Sequence, residues 1–419
     1  MTAHNRHPST KPVPAVVLGL NPNSLGTIRS LRRAGIPVVA IARESGGWRD
    51  PHTWMSSKTR ACEKVILPRD SGWQEFVEAL LELAERHATA LPVFPSGDDD
   101  LLMLSQYHNR LAEACHLALP TSDSLATLLD KSRFAAFCES LDLTVPRTIS
   151  HGDEVGMDDV IARVRFPCLV KPEQRGDAWD RMFSPAKAFR AETPEELREH
   201  WQVASQCGSP LLVQEVVPGG DDELYFSHAY FDREGRTLAS WTGRKLRQYP
   251  LGFGTSTLTE TVQVAGLVDR TEQLARALSI HGYLSIEFKR DPRSGRFFII
   301  EATPGRTWYP HYLGTVAGVN IPEVWYYDLL GQPIDDRPRD QFREGVRWVD
   351  EFRDIVAANA HRAAGRLSMR EWLGSYCNVR GPAHISLRDP LPGIFVGLRF
   401  FISAYRAVAR RITRSSSEG

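Results

Sequence analysis

Short apolar runs alternate with helical segments over the first part of the 419-residue chain. Val13–Leu20 is apolar without polar alternation, a pattern typical of a strand buried in a parallel sheet. A helix is predicted from about 24 to 34, and a second strand in Pro37–Ala42. A strand–helix–strand unit pairs its strands in parallel by default. Because the alternation continues to Leu91–Phe94, residues 13–117 are predicted to form a Rossmann-like parallel-sheet domain.

Two turns of this domain are candidates for ligand contacts. The turn from Gly19 to Gly26 lacks the G-x-G-x-x-G pattern that lets backbone approach a pyrophosphate, which disfavours a dinucleotide site. The segment Pro95–Asp100 ends in three consecutive acids and opens a helix. Acidic residues there stabilise the positive end of the helix dipole. The alternative is a substrate-facing loop at the carboxyl end of a strand.

Charge and cysteine content disfavour several classes of protein. The chain has 51 basic and 51 acidic side chains, a balance that argues against a nucleic-acid partner. Its six cysteines are scattered without a C-x-x-C pair, which fits a reducing cytosol better than a disulfide scaffold. The polar N-terminus has no signal-peptide core, and no uncharged apolar run is long enough to span a bilayer. We therefore expect a cytoplasmic protein.

Beyond residue 117 the sequence changes to an α+β pattern. A helix is predicted over 122–142 and contains Lys131. The nearly all-apolar segment Pro167–Pro172 is predicted to be a strand, and Lys171 lies at its end. A lysine in such surroundings must reach solvent or a bound anion, because an unpaired charge in an apolar environment is unstable.

A predicted hairpin around the turn Asp291–Arg296 gives the clearest physical signal in the chain. Its centre lies near residue 294, which places Glu287 and Glu301 opposite each other unless the register slips by one residue. Two facing carboxylates repel each other, and a divalent cation such as Mg²⁺ between them reverses the sign of the interaction. The alternative is a solvated face on which Lys289 neutralises one of the acids.

The basic segment GRKLRQYPLGFGT occupies residues 243–255. Arg244, Lys245 and Arg247 come just before a pair of glycines in this segment. Cations beside a flexible glycine loop are suited to recognising phosphate or carboxylate groups. A basic surface turn is the alternative.

Five motifs follow one another along the chain: LLDKSRFAAF, PCLVKP, QEVVPGGDDELY, SIEFK and IIEATPGR. They occur in the order of the ATP-grasp superfamily, and the chain resembles its carboxylate–amine ligase branch, which includes D-aspartate ligase-like proteins. The resemblance covers about residues 13–331. It implies an ATP-grasp domain over 118–331, with a smaller lid subdomain at about 144–212. The implied reaction activates a carboxylate as an acyl phosphate with Mg-ATP and passes the acyl group to an amine.

The resemblance also implies roles for individual residues. The residues that would bind ATP are Lys131, Lys171, Gln214, Glu215, Val216, Val217 and Glu223. Glu287 and Glu301 would hold one or two Mg²⁺ ions, with Mn²⁺ as an alternative metal. The catalytic residues, which would contact the transferred phosphoryl group and the carboxylate, are Arg306, Lys245 and Arg244. The partners implied are small-molecule or peptide-like carboxylate and amine substrates.

The last motif departs from the family pattern, which reads Glu-x-Asn-x-Arg. Thr303 stands where the family has a metal-ligating Asn, and Arg306 comes one residue late. An ATP-binding module or regulator with this fold and weak or no ligase activity is therefore the alternative function. A third interpretation is a carboxylating or phosphotransfer enzyme of the same fold, although the chain shows no biotin-carrier segment.

The last part of the chain, residues 332–419, is predicted to be a helical extension that begins with a polar linker. Helices are predicted over 346–363, 368–376 and 391–414. In the last of these, apolar residues fall on one stripe and arginines on the opposite one. Such a basic amphipathic helix can lie peripherally on the inner face of an anionic membrane, pack on its own protein or on a homodimer partner, or form a flexible tail.

Overall fold

The computed structural model of the protein describes residues 12–47, 50–150, 156–173, 177–184, 186–334 and 339–399. Three sheets organise these residues: one of five strands, one of four and one of seven. The first is parallel, the second is antiparallel and the third is almost entirely antiparallel. A parallel sheet followed by α+β structure is the fold class that the sequence predicts.

The five-stranded sheet and its helices form the N-terminal part of the protein. Its elements are β1 (Ala15–Leu18), α1 (Pro22–Arg33), β2 (Val38–Arg43), α2 (Pro51–Ser56), β3 (Glu63–Leu67), α3 (Trp73–His87), β4 (Leu91–Phe94), α4 (Asp98–Gln106), α5 (His108–Leu111) and β5 (Cys115–His116). The strand order is β3-β2-β1-β4-β5, so the direction of winding reverses between β1 and β4. All residues of β1 and β4 are buried, as their uninterrupted apolar sequences predict.

The helix predicted over 122–142 is divided into α6 (Ser122–Leu129) and α7 (Lys131–Ser140). Asp130 lies between them with an extended backbone, and its carboxylate accepts hydrogen bonds from the N–H groups of Ser132 and Arg133. Aspartate at such a position caps a new helix instead of continuing the old one. Lys131 is therefore the first residue of α7 and lies at a helix start.

The four-stranded sheet is formed by residues 148–215 and has helices α8, α9 and α10 around it. Its elements are β6 (Thr148–Ser150), α8 (Met157–Arg163), β7 (Cys168–Pro172), α9 (Asp177–Phe183), β8 (Phe189–Ala191), α10 (Pro194–Ala204) and β9 (Leu211–Glu215). The order is β6-β9-β7-β8, so β7 and β9 are the two central strands. Lys171 lies on β7 directly opposite Leu212 of β9.

The seven-stranded sheet is the largest unit of the fold. Its strands and the helices between them are β10 (Leu224–Phe231), β11 (Thr237–Tyr249), β12 (Thr255–Thr261), α11 (Leu267–Ala277), β13 (Gly282–Arg290), β14 (Phe297–Pro304), α12 (Tyr312–Ala317), α13 (Ile321–Leu329), β15 (Arg347–Val349) and β16 (Val379–Pro382). The order is β14-β13-β10-β11-β12-β15-β16. The basic segment 243–249, predicted to be a loop, is the second half of β11.

The extension after residue 331 is less helical than predicted. The predicted helix 346–363 begins only at α14 (Glu351–Ala363), because β15 pairs with β12 and Asp350 caps the helix. After α15 (Met369–Gly374), β16 runs parallel to β15. A last helix, α16, is described over 390–399, and the remainder of the predicted helix 391–414 lies outside the described residues. No helix in the described part of the chain is both long and apolar enough to cross a bilayer.

The extension is joined to the N-terminal part by Arg29, which lies on α1 and is 6% exposed. Its guanidinium group donates hydrogen bonds to the main-chain carbonyl oxygens of Ala383 at 2.8 Å and His384 at 2.7 Å. The Asp389 carboxylate lies 3.4 Å away and neutralises the charge. Arg29 thus ties the segment after β16 to the first helix of the chain.

Candidate active site

A cleft of about 290 Å³ lies between the four-stranded and seven-stranded sheets. Strands β7 and β9 contribute to one wall, and strands β11, β13 and β14 contribute to the other. The resemblance assigns roles to twelve residues. Nine of them line this cleft: Lys131, Lys171, Gln214, Glu215, Val216, Val217, Lys245, Glu287 and Glu301. The other three, Glu223, Arg244 and Arg306, do not.

Glu287 and Glu301 lie directly opposite each other on β13 and β14. Towards the turn the strands pair as Phe288 with Ile299, so the register shifts by one residue and leaves Ile300 as a bulge. Without this bulge Glu287 would face Ile300, and Glu301 would point to the other side of the sheet. The bulge therefore places both carboxylates on the cleft, while Phe288 on the opposite face is fully buried.

The two carboxylates have different surroundings. Lys245 Nζ lies 2.5 Å from Glu287 Oε2, and both side chains are largely buried. Glu301 is exposed to the cleft, and no hydrogen-bond donor from the described residues contacts its carboxylate. Glu301 thus has no hydrogen-bond donor from the described residues, and Glu287 is paired with one lysine. Together they provide oxygen ligands of the kind that Mg²⁺ or Mn²⁺ binds. The residues present therefore fit a divalent cation.

The geometry of β11 explains how Lys245 reaches Glu287 across the intervening strand β10. Gly243, Phe226 and Glu287 are aligned across the three strands, and Lys245 is two residues from Gly243 on the same face. A Cβ atom at Gly243 would lie 2.5 Å from the Phe226 ring, so only glycine fits there. The long lysine side chain can then extend over β10 towards β13.

Lys171 is the most strongly perturbed cation of the cleft. Its Nζ donates to Gln214 Oε1 at 2.8 Å. Burial lowers the pKa of Lys171 to about 8, Lys131 acts in the same direction and Glu301 opposes the shift. An ammonium group with a lowered pKa gains most from a bound anion, because the anion restores the favourable interactions that burial removes.

Lys131 approaches the cleft from the start of α7. Its Nζ donates to the carbonyl oxygen of Glu173 at 3.0 Å. Glu173 also accepts a hydrogen bond from Ser132 at 3.1 Å. Glu173, the residue that follows β7, thus positions Lys131. Lys171 lies two residues before Glu173, on β7.

The segment 214–217 connects β9 to the seven-stranded sheet. The Gln214 amide lies between Lys171 and Thr148, whose Oγ1 accepts from Nε2 at 2.8 Å. The Val216 N–H donates to the Pro167 carbonyl at 3.0 Å. These contacts fix the backbone of residues 214–217, which form a partly apolar wall of the cleft. Such a wall is suited to binding a flat heterocycle with polar edges.

Glu223 lies just beside the cleft rather than on its wall. Arg290 donates to both of its carboxylate oxygens, at 2.7 and 3.0 Å. This hydrogen bonding to Arg290 lowers the pKa of Glu223. Asp221, which the sequence analysis missed, lines the cleft and accepts a hydrogen bond from Gln248 at 2.8 Å. The only signal for Asp221 in the sequence is that it lies two residues before Glu223 in the motif QEVVPGGDDELY.

Arg244 points away from the cleft because it alternates with Lys245 along β11. It pairs with Glu260 of β12 at 2.5 Å. Arg247, the third cation of the segment, is buried in a bidentate pair with Asp354 of α14 at 2.9 and 2.7 Å. Of the three cations in the basic segment, Lys245 therefore lines the cleft, and the two arginines hold neighbouring elements together.

Arg306 follows β14 and pairs with Asp98 at 2.5 Å. Asp98 is the first residue of α4, in the acidic segment that follows β4 at the point where the parallel sheet reverses. Trp308, two residues after Arg306, lines the cleft and lies 5.5 Å below the Lys245 ammonium. The pair thus joins the N-terminal sheet to the loop that closes the edge of the cleft.

A second group of possible metal ligands, Asp350, Glu351 and His384, lies outside the cleft. Asp350 caps α14 through one oxygen and accepts the Tyr309 hydroxyl with the other. Glu351 accepts the main-chain N–H groups of His384 and Ile385. These oxygens already accept hydrogen bonds, so the group holds α14 to the loop after β14 and to the segment after β16.

No protein-family model matches the chain. It is 24% identical over 260 residues to the D-aspartate ligase of Enterococcus faecium, a match that covers 59% of this chain and 61% of that protein. The curated relatives are thus matched over less than two thirds of their own length.

Two solved structures share the architecture over most of the chain. The biotin carboxylase–β,γ-ATP complex from Campylobacter jejuni has a TM-score of 0.60 and 13% identity, covering 80% of this chain and 74% of that one. The L-amino acid ligase from Bacillus licheniformis has a TM-score of 0.57 and 13% identity, covering 81% and 79%. The fold is therefore the ATP-grasp fold. This is the fold that the five motifs predict.

Proposed function

We propose that this protein is an ATP-dependent carboxylate–amine ligase, which forms an amide or peptide-like bond and releases ADP and phosphate. The observation that carries the proposal is the single cleft in which Glu287 and Glu301 face Lys171, Lys131 and Lys245. This combination suits the transfer of a phosphoryl group, where positioning and charge neutralisation provide most of the catalysis. The similarity to a D-aspartate ligase and to an L-amino acid ligase supports the same class of reaction.

We propose one orientation for ATP in the cleft. Lys131 and Lys171 would hold its phosphates, and the segment 214–217 would contact adenine through backbone groups. Glu223, held rigid by Arg290, would accept the ribose hydroxyls, since a carboxylate has acceptor positions beyond those that one guanidinium occupies. The similar biotin carboxylase structure is a complex with an ATP compound, which supports ATP as the nucleotide.

Glu287 and Glu301 would hold Mg²⁺, or Mn²⁺, at the phosphates. The metal supplies Lewis-acid neutralisation of the charge on the transferred phosphoryl group. The number of ions is also a proposal: the Asn ligand of the family pattern is replaced by Thr303, which pairs with Ser285 and does not line the cleft. We propose one main ion between the two glutamates.

The remaining cations suit the chemistry of the carboxylate. A carboxylate is a poor acyl donor, and its phosphorylation provides a leaving group for the attacking amine. Lys245 would neutralise the carboxylate or the transferred phosphoryl oxygens once it leaves Glu287. Arg306 would approach the same group from the edge of the cleft, where it is now paired with Asp98. We assign no catalytic role to Arg244, which is paired with Glu260 on the opposite face of the sheet.

The domain bounds, the substrates, the oligomeric state and the cellular location of the enzyme are also proposals. We propose a Rossmann-like domain over 13–117 and an ATP-grasp domain over 118–331, with the four-stranded sheet as its lid at about 144–212. The substrates would be a small or peptide-like carboxylate and an amine, and the enzyme would form a homodimer. All six cysteines are free thiols, which supports a cytoplasmic location.

The alternative is an ATP-binding module with weak or no ligase activity, which the position of Thr303 favours. ADP release by the full-length protein with Mg-ATP, measured against pools of amino acids, small carboxylates and amines, separates the two. Release that needs one acid and one amine, with an amide product of matching mass, supports the ligase. Nucleotide binding with no release in any pool supports the alternative.

A further inference from the structure

Four large apolar side chains are exposed close together near the end of the described chain. They are Ile385, Leu387, Ile394 and Leu398, with exposed fractions of 52%, 101%, 58% and 44%. Single exposed apolar residues are ordinary, but a group of them marks an interaction surface. We call these four residues the apolar face.

Three of the four residues of the apolar face lie together in space. Ile394 and Leu398 are one turn apart on α16, so they lie on the same side of the helix. Ile385 packs against this helix, since a Cβ atom at Gly393 would lie 3.0 Å from the Ile385 Cα atom. Leu387 belongs to the short link between Ile385 and α16.

The opposite side of α16 is packed against the protein. The Phe395 ring contacts Trp54 of α2 edge-on at 4.9 Å, and Val396 is 3% exposed. The Arg399 guanidinium lies 5.1 Å from the centre of the Phe352 ring. The helix therefore has its own buried side, and the apolar face is a second, outward surface.

The link that carries Ile385 and Leu387 is held to the body of the protein. Glu351 accepts the main-chain N–H of Ile385 at 2.8 Å. Asp389 accepts hydrogen bonds from Thr59 at 2.7 Å and from the N–H of Arg60 at 3.0 Å, and it also pairs with Arg29. These contacts fix the apolar face relative to the first sheet.

The charge of this part of the sequence selects the partner. Between residues 385 and 419 there are only two acids, Asp389 and Glu418, against six arginines at 388, 399, 406, 410, 411 and 414. Asp389 is buried against Arg29. The sequence of this segment therefore has an excess of positive charge. The excess of arginine is local to this segment, because the whole chain has no net charge. Anionic lipid headgroups match this charge, and the upper acyl chains of a bilayer match the exposed apolar side chains.

We propose that the apolar face docks on the surface of an anionic lipid bilayer, with its leucine and isoleucine side chains among the headgroups and upper acyl chains. The inference does not depend on the proposed ligase activity. Because the face is fixed to the body, docking would give the protein one defined orientation on the membrane.

The test is sedimentation of the full-length protein with vesicles of pure phosphatidylcholine or of phosphatidylcholine with about 30% phosphatidylglycerol. We expect binding to the anionic vesicles that weakens with added salt. The double variant Leu387→Ser/Ile394→Ser keeps every arginine and should lose about tenfold or more in partitioning, because two apolar side chains no longer enter the interface. Ile66→Ser on the edge strand β3, which removes a side chain of 47% exposure, is the matched control and should bind like the wild type.

Three results would overturn the proposal. One is equal binding of the wild type to both kinds of vesicle, or to neither. Another is undiminished binding of a double variant whose thermal unfolding matches that of the wild type. The third is a wild-type dimer that the double variant dissociates without any vesicle binding, which would assign the face to a second copy of the chain.

Discussion

The ammonium group of Lys245 lies 2.5 Å from the Glu287 carboxylate, at the place where a divalent cation would bind. The lysine comes from β11 and crosses β10 to reach β13, so the contact depends on three neighbouring strands. A metal ion that binds the same oxygen of Glu287 would displace it. The displaced cation would then be available to an anion in the same cleft, which would couple metal binding to the recognition of the reacting group.

Lys245→Met should strengthen Mn²⁺ binding to the nucleotide-free protein about tenfold, which corresponds to about 1.4 kcal/mol. The reason is that the ion no longer competes with an ammonium group. The same variant should lower kcat, because a cation is missing from the cleft. Titration calorimetry or electron paramagnetic resonance of Mn²⁺ measures the binding, and Arg244→Met is the control because it removes a charge from the adjacent position on the other face. An equal gain in both variants would contradict direct competition.

Glu301→Gln should abolish Mn²⁺ binding and ADP release without lowering the stability of the metal-free protein. Removing one of two facing carboxylates relieves repulsion, so the free energy of unfolding should stay the same or rise by about 0.2–1 kcal/mol. Denaturant unfolding and metal titration are the two measurements. Glu199→Gln on the exposed side of α10 should change neither quantity. A variant that binds metal normally would show that Glu301 is not a ligand.

Nucleotide affinity should fall as the pH rises above about 8, because Lys171 loses its proton near that pH and then no longer attracts phosphate. The pKa of Lys171 is lower in the folded than in the unfolded protein, so the unfolded chain binds more protons between the two values. The stability of the nucleotide-free protein should therefore rise between about pH 8 and 10.5. Lys171→Arg should remove both dependences, since arginine stays charged. Equilibrium binding and denaturant unfolding at several pH values test this, and flat profiles for the wild type would contradict it.

The ribose contact can be assigned by comparing two neighbouring acids. Glu223→Gln should weaken ATP binding roughly tenfold but leave the affinity for 2′,3′-dideoxy-ATP nearly unchanged, as expected for a hydrogen bond to a charged acceptor. Asp221→Asn loosens the contact with Gln248 and should affect both nucleotides alike. Competition binding with the two nucleotides gives the answer. If Asp221→Asn alone removes the preference for ATP, the ribose ligand is Asp221.

Arg306→Lys should lower kcat by more than tenfold with little change in the KM for ATP, because a guanidinium at the edge of the cleft would act on the reacting group. Asp98→Asn breaks the same ion pair while keeping Arg306. Since Asp98 is about half exposed, its loss should cost less than about 1 kcal/mol of stability. Steady-state kinetics of both variants tests the assignment. A change only in stability, with normal kcat for Arg306→Lys, would make the pair purely structural.

The Glu287–Glu301 pair shows what sequence reasoning can reach. Counting outwards from the turn predicts that the two acids face each other, and they do. The count assumes that all pairs of the hairpin are centred on residue 294. The pairs nearest the turn, such as Arg290 with Phe297, are centred half a residue earlier. The extra residue at the Ile300 bulge then brings Glu287 and Glu301 opposite each other. Bulges depend on packing with neighbouring strands, so the sequence of one hairpin does not reveal them.

Tertiary pairing decided the elements that the sequence analysis misplaced. The segment 243–249 has glycine and several charges, yet it is a strand because β10 and β12 lie on either side of it. Arg247 could not be distinguished from Lys245 by sequence, since its partner Asp354 lies more than a hundred residues away. The strand Arg347–Val349 likewise forms only because β12 offers a free edge. Local patterns predicted the first sheet better, because β1 and β4 are uninterrupted apolar runs in which every residue is buried.

The contact between Arg29 and the segment after β16 has a consequence for how this protein can change over time. The guanidinium group binds the carbonyl oxygens of Ala383 and His384, and every amino acid offers the same carbonyl group. Residues 383 and 384 can therefore change without loosening these two hydrogen bonds. Arg29 has no equivalent replacement, and neither has Asp389, which contacts it through a side chain. The contact is free to vary only where it uses the main chain.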